Sequence, residues 1–202
     1  MPCDSEKSAF FDELADDWNE SVDHDPVKLE RIVRLLGLEQ GDRALDVGCG
    51  TGAAVPYLLG RVGDTGEVLA IDVSPKMVAV ARLKLPSEEY PNVKFVVGDV
   101  GEVGLDDEFN AILCYSCFPH FHDQRATIRY LAWGLKKGGT LVIAHSESRD
   151  AINAMHASGP DEICGDYLPP AGEIAEMMAD AGLEVTETID DEETFVVVGR
   201  RR

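Results

Sequence analysis

The run Leu45-Asp46-Val47-Gly48-Cys49-Gly50-Thr51-Gly52 concentrates more potential chemistry than any other part of the chain. An apolar stretch ends in an acidic residue and breaks into glycines, and a helical pattern follows at once. Such a layout sets bare backbone N–H groups and a helix N-terminus beside whatever binds at the strand's end; a Cβ on the glycines would hold a ligand off the main chain. Asp46, just before the loop, would crowd a pyrophosphate but suits an ammonium group. Two further carboxylates follow apolar runs, Asp72 in Ile71-Asp72-Val73-Ser74-Pro75 and Asp99 in Gly98-Asp99-Val100.

The five histidines form a second set. His24 falls between two N-terminal helical patterns, His120 and His122 follow a fourth strand, and His145 follows a fifth. His156 shares a helical stripe with Arg149 and Asn153. Imidazole suits proton transfer and metal binding near neutral pH, so His120 and His145 are the candidates for a base or substrate contact. The segment Cys114-Tyr115-Ser116-Cys117-Phe118-Pro119-His120-Phe121-His122 adds a Cys-x-x-Cys and a His-x-His. Cys117, His120 and His122 are candidate ligands for zinc or a similar metal, and the two cysteines a candidate redox pair. Against both stands Cys114, whose thiol packs well as a small apolar filler at a strand end.

The elements that must position these residues follow from periodicity. Residues 7–20 read as an amphipathic helix with Phe11, Leu14, Ala15 and Trp18 on one stripe. Asp25-Pro26 is a helix start, with Leu29, Ile32, Val33 and Leu36 inward and Gly37 as the stop. These two helices form a cap over residues 1–40. Strands and helices then alternate: strand 43–47, helix 53–59, strand 68–72, helix 75–83, strand 93–97, strand 109–114, helix 124–135 and strand 140–144. A short helix at 149–157 and another at 173–181 precede strands 184–189 and 194–199. The turn between these last two, Asp190-Asp191-Glu192-Glu193, is too short for anything but an antiparallel pair. The expected fold is α/β: a Rossmann-like open sheet of about seven strands, mostly parallel, with a C-terminal antiparallel hairpin and helices on both faces. Ligands bind such sheets outside the carboxyl ends of the strands. Residues 146–170 are long for a connection and read as a substrate lid. Trp18, Phe118 and Phe121 are candidate pocket walls, and Arg149, the one cation of the lid, could meet an anionic substrate group.

The glycine run resembles the first motif of the class I S-adenosylmethionine (SAM) methyltransferases, Asp-x-Gly-x-Gly-x-Gly; the resemblance extends from about residue 10 to the C-terminus, and the chain resembles the broad ubiquinone/menaquinone methyltransferase-like group. It implies SAM as cofactor and contacts at Asp46, Gly48, Cys49, Gly50, Gly52, Asp72, Val73, Met77, Asp99, Val100, Cys114 and Tyr115. Asp72 would accept both ribose hydroxyls, Asp99 the adenine amino group, and the end of the fourth strand would lie beside the methionine part. Trp18, His24, Phe118, His120, Arg149, Asn153 and His156 are then the substrate-side candidates. Two other readings remain open on the residues alone. Gly48-x-Gly50-x-x-Ala53 also fits a dinucleotide pattern, in which Asp72 would serve an NAD ribose, although no substrate domain follows. A SAM-binding or metal-handling protein without transferase activity would use the Cys/His loop.

Bulk properties bound the partners. A chain of 202 residues suits one domain. Its formal net charge of −20 repels phosphate backbones, so a small-molecule substrate is expected rather than nucleic acid. No apolar run is long enough to span a bilayer and the first residues lack a signal layout, which makes a cytoplasmic location the expectation. Five cysteines without an export signal argue against a disulfide framework.

Overall fold

The computed structural model describes residues 5–22 and 24–202; the N-terminal residues read above for a signal layout, Cys3 among them, lie outside these through Asp4. The described elements run α1 (Ser5–Leu14), α2 (Trp18–Ser21), α3 (Pro26–Arg34), β1 (Arg43–Val47), α4 (Val55–Val62), β2 (Glu67–Asp72), α5 (Pro75–Lys84), β3 (Val93–Val97), β4 (Phe109–Tyr115), α6 (Gln124–Gly134), β5 (Leu135–His145), α7 (Arg149–Ala157), α8 (Ala171–Asp180), β6 (Leu183–Asp190) and β7 (Phe195–Arg201). Seven strands form one sheet in the order β3-β2-β1-β4-β5-β7-β6. The first five are parallel; β7 runs antiparallel to β5 and pairs with β6. The expected Rossmann-like architecture is therefore the observed one.

Successive residues of the central strands point to opposite faces. Leu45, Ile112, Ile143 and Val197 pack with Ile128 and Leu131 of α6 and Ile174 and Met178 of α8. Ala44, Leu113, Val142 and Val198 pack with α3, α4 and α5 through Leu29, Leu58 and Val78. Helices thus cover both faces. The chain leaves β1 toward β2 on one side and returns as β4 on the other, so a crevice opens at the carboxyl ends of β1 and β4.

Several boundaries differ from those the sequence predicts. The single helix expected over residues 7–20 breaks after Leu14 and resumes at Trp18. Asp16 and Asp17 stand where the C-terminal dipole of α1 disfavours negative charge, and no basic residue offsets them. The helix after the glycine run starts at Val55, not Ala53, because Pro56 fits only its first turn. The glycine turn is correspondingly longer. The fifth strand begins at Leu135, not at residue 140, and passes through Gly138 at φ +82°.

Candidate functional site

A cavity of about 860 Å³ opens at the carboxyl ends of the central strands. One wall carries Gly48 after β1, Asp72 and Val73 after β2, Met77 on α5, and Asp99 and Val100 after β3. A side recess shares Trp18, Gly48 and Ser116 with it and is lined further by His24, Asp46, Cys49, Thr51 and Tyr115.

Asp72 is preset by the backbone. Gly50 N–H donates to Oδ2 at 2.8 Å and Ser74 N–H donates to Oδ1 at 2.9 Å. Burial raises its carboxyl above the usual range, and these two bonds oppose that shift. Each oxygen keeps a further lone pair, which suits a vicinal diol. Asp99 caps the turn that follows β3 by accepting from Gly101 N–H at 2.8 Å. Asp46 differs from both. Its Oδ2 is buried without a hydrogen-bond partner, and burial, reinforced by the Asp72 charge, pushes its carboxyl up to about 8. An orphaned buried acid beside a recess is what an incoming ammonium would satisfy.

The glycines have different reasons. At Gly48 a Cβ would stand 2.5 Å from Cys117 Cβ, so glycine is required by the approach of the β4 loop. At Gly50, with φ +52°, a Cβ would meet nothing within 4 Å; it would project into open space. Gly50 thus fits the close-approach role expected of the whole run, whereas Gly52 packs against Ala81 of α5. Ser116 adds a non-glycine residue at φ +55° on the rim of both cavities, a strained conformation of the kind held at ligand sites.

The opposite wall brings together distant segments. Lys7 and Phe11 come from α1, Trp18 from α2, Pro119, His120 and Phe121 from the turn after β4, Tyr130 from α6, and Asp166 and Tyr167 from the segment before α8. His120 Nδ1 lies 2.6 Å from Asp166 Oδ2. Lys7 Nζ donates to the other Asp166 oxygen and, at 3.2 Å, to the His120 carbonyl. The ring of His120 is flanked by Phe11 and His156 at centroid distances of 5.1 and 5.0 Å. The N-terminal helices are fastened to the wall that carries Asp72 as well. Asp12 Oδ1 accepts from Ser74 Oγ at 2.5 Å and Lys76 N–H at 2.9 Å, and Ser8 Oγ donates to the Val73 carbonyl at 2.9 Å. Asn19 Oδ1 accepts from Thr51 Oγ1 at 2.8 Å.

Several expected site residues stand elsewhere. Cys114 and Phe118 are wholly buried in the core and line neither cavity. Their small or apolar side chains fall on the packed face of β4 and its turn. His145 is also wholly buried. Neither of its ring nitrogens has a partner, and burial lowers its imidazole to about 3. It packs against Phe195 instead of lining the cavity. Arg149 turns away to Asp190, with Nε 3.1 Å from Oδ2. Asn153 closes a reciprocal pair with the Leu168 backbone at 2.8 and 3.0 Å. His156 is buried, and its Nδ1 donates to the Asp166 carbonyl at 3.2 Å. These last two brace the segment 146–170 without lining the cavity. His24 lies in the recess, 3.2 Å from the Tyr115 hydroxyl, which donates to Ser146 Oγ at 2.9 Å.

The metal and redox readings of the Cys/His loop fail on geometry. Cys117 Sγ is buried and donates to the Val47 carbonyl at 3.0 Å. Its bond with Cys114 and its burial both raise the thiol, so the pair offers no ready thiolate. Among the described residues no group of three or more His, Cys, Asp or Glu is arranged to hold a metal ion. The lining residues that the sequence did not disclose are Lys7, Phe11, Asp166, Tyr130 and Tyr167. No local pattern marks them.

A doubly wound sheet with a glycine turn, a carboxylate at each of the first three strand ends and a deep crevice at the switch point defines a class I SAM-dependent methyltransferase. A methyltransferase-domain family profile matches residues 44–139. The chain is 32% identical over 174 residues to the ubiquinone biosynthesis O-methyltransferase of Xanthomonas euvesicatoria, covering 80% of this chain and 70% of that relative. A SAM-dependent methyltransferase from Aquifex aeolicus superimposes with a TM-score of 0.72 at 24% identity, covering 96% and 98% of the two chains. Phosphoethanolamine N-methyltransferase 2 of Haemonchus contortus, solved with SAM, shares the fold at a TM-score of 0.72 and 17% identity, over 87% and 52%. The chain belongs to the SAM-dependent methyltransferase family, its cofactor is SAM, and it is a transferase.

Proposed function

We propose that this enzyme methylates a hydroxyl oxygen of a small, flat, aromatic acceptor, with His120 receiving the proton. The observation that carries this reading is His120 on a cavity wall among Phe11, Trp18, Phe121, Tyr130 and Tyr167. A volume of about 860 Å³ falls in the upper part of the range of ligand sites, which suits a cofactor and an acceptor together. The relatives at 32% identity are named as O-methyltransferases of ubiquinone biosynthesis, and the net charge of −20 disfavours a nucleic-acid acceptor.

Bound SAM supplies an activated methyl group whose bond to sulfur breaks as the bond to the acceptor forms, the electron pair leaving with sulfur. The protein's share is positioning, exclusion of water and removal of one proton. Asp72 and Asp99 would hold the nucleoside, with Val73, Met77 and Val100 against it, and Asp46 in the recess would receive the ammonium group. Aromatic side chains orient the acceptor ring. His120 Nε2 takes the hydroxyl proton and returns it to solvent once product leaves. The cap formed by α1 and α2, and the segment 146–170, act as the substrate-side lid, through Lys7, Phe11 and Trp18 from one and Asp166 and Tyr167 from the other.

The test is turnover with methyl-¹³C-labelled SAM on catechol and, in parallel, on aniline and indole, with the product methyl located by NMR. A methyl on catechol oxygen is expected. Labelling only of nitrogen or carbon would overturn the oxygen assignment.

A further inference from the structure

We infer that Asp166 is a positioning residue that fixes His120 with its proton on Nδ1 and its free lone pair on Nε2, and that Lys7 ties this pair to the N-terminal helix. The inference rests on His120 being the base proposed above.

The geometry is specific. Asp166 Oδ2 sits 2.6 Å from His120 Nδ1, and Lys7 holds the other carboxylate oxygen. The loop that presents Asp166 is itself fixed. The Asp166 N–H donates to the Ile163 carbonyl at 2.9 Å, and His156 Nδ1 donates to the Asp166 carbonyl at 3.2 Å. Burial raises the Asp166 carboxyl, but the hydrogen bonds from His120 and Lys7 outweigh it and hold the group below its ordinary value. An ionised carboxylate can only accept, so His120 Nδ1 must donate. Which ring nitrogen carries the proton is set by the bond the other makes. With Nδ1 committed to Asp166, a neutral His120 leaves Nε2 as the acceptor on the cavity wall. The charged and titratable groups around the ring are Lys7 from α1, Asp166 from the lid, His156 from α7, Asp72 from β2 and His145 from β5.

Lys7 gives the arrangement a second consequence. It bridges Asp166 and the His120 carbonyl, while Ser8 and Asp12 of the same helix hold Val73 and Ser74 beside Asp72. The helix that orders the base is therefore the one that lies against the cofactor's ribose carboxylate.

The experiment is ¹⁵N NMR of the imidazoles in the protein saturated with S-adenosylhomocysteine, for wild type, Asp166→Ala and Asp166→Asn, alongside kcat and KM on catechol. In the wild type the neutral His120 carries its proton on Nδ1. In Asp166→Ala the Nε2-protonated form becomes populated and kcat falls about 10²-fold, with S-adenosylhomocysteine affinity within about twofold as proof of fold. Asp166→Asn leaves one acceptor oxygen, which Lys7 holds, and turns an amide N–H toward His120 Nδ1, so the proton moves to Nε2 and kcat falls as in Asp166→Ala. A wild-type proton on Nε2, or a tautomer unmoved by Asp166→Ala, overturns the positioning role whatever the acceptor is. A shifted tautomer with unchanged kcat overturns instead the base reading of His120 on which it rests.

Discussion

The two walls of the cavity are assembled on different scales. Gly48, Asp72 and Asp99 come from the ends of β1, β2 and β3, neighbours in one parallel sheet. Across from them, Lys7 and Asp166 reach His120 over 113 and 46 residues of chain. The first wall is a property of the fold, fixed once the strands pair. The second exists only when α1, the turn after β4 and the segment before α8 meet. Cofactor binding should therefore tolerate changes at the second wall, and turnover should not.

The largest effect expected is at His120. His120→Ala lowers turnover of catechol by about 10²- to 10⁴-fold, the usual contribution of a general base, and leaves the calorimetric affinity for S-adenosylhomocysteine unchanged. Parallel losses of both would merge the two walls into one. Asp72→Ala works the other way. Loss of its charge-assisted bonds weakens S-adenosylhomocysteine by about 1.5–3 kcal/mol, roughly 10- to 150-fold.

Asp46 sharpens the cofactor side through protons. Its folded value of about 8 lies above the ordinary 3.8, so the unligated protein holds this proton at pH 7. Its contribution to stability therefore declines as pH rises between those values. An ammonium group arriving beside it favours the ionised form, so binding S-adenosylhomocysteine near pH 7 releases a proton. The heat of binding then varies with the ionisation enthalpy of the buffer. Asp46→Asn abolishes that dependence and weakens binding by about 1–2 kcal/mol.

The smallest effect falls at His145. Its imidazole is lowered to about 3, so between pH 6.5 and 3 the unfolded chain binds a proton that the folded protein refuses, and stability falls as pH drops through that window. His145→Leu removes two orphaned nitrogens and that acid loss. Thermal or urea unfolding at pH 7 should show a gain of about 1 kcal/mol with cofactor affinity intact. A loss of turnover without a change in stability would restore a catalytic role to His145.

The difference between the walls also explains what the sequence disclosed. Strand periodicity and glycine placement are local, so Arg43–Val47 and Val93–Val97 could be read to the residue, as could the order of elements and the carboxylates at strand ends. Asp46, Asp72 and Asp99 lie one residue from, at, or two residues past those ends. The failures were long-range. Nothing near Asp166 marks it as the partner of His120, and nothing near His145 shows that its position on β5 faces the packed side. Arg149 read as a free cation because Asp190, its partner, lies 41 residues on. The glycine run was legible as a turn, but Gly48 owes its identity to Cys117, a contact across 70 residues of chain that no local pattern carries.

The division of labour between the walls is tested most directly by one calorimetric series, S-adenosylhomocysteine titrated into wild type, Asp72→Ala and His120→Ala. Affinity should fall by about 10-fold or more in Asp72→Ala and stay unchanged in His120→Ala. Equal weakening in both, or full affinity in a folded Asp72→Ala, would contradict it.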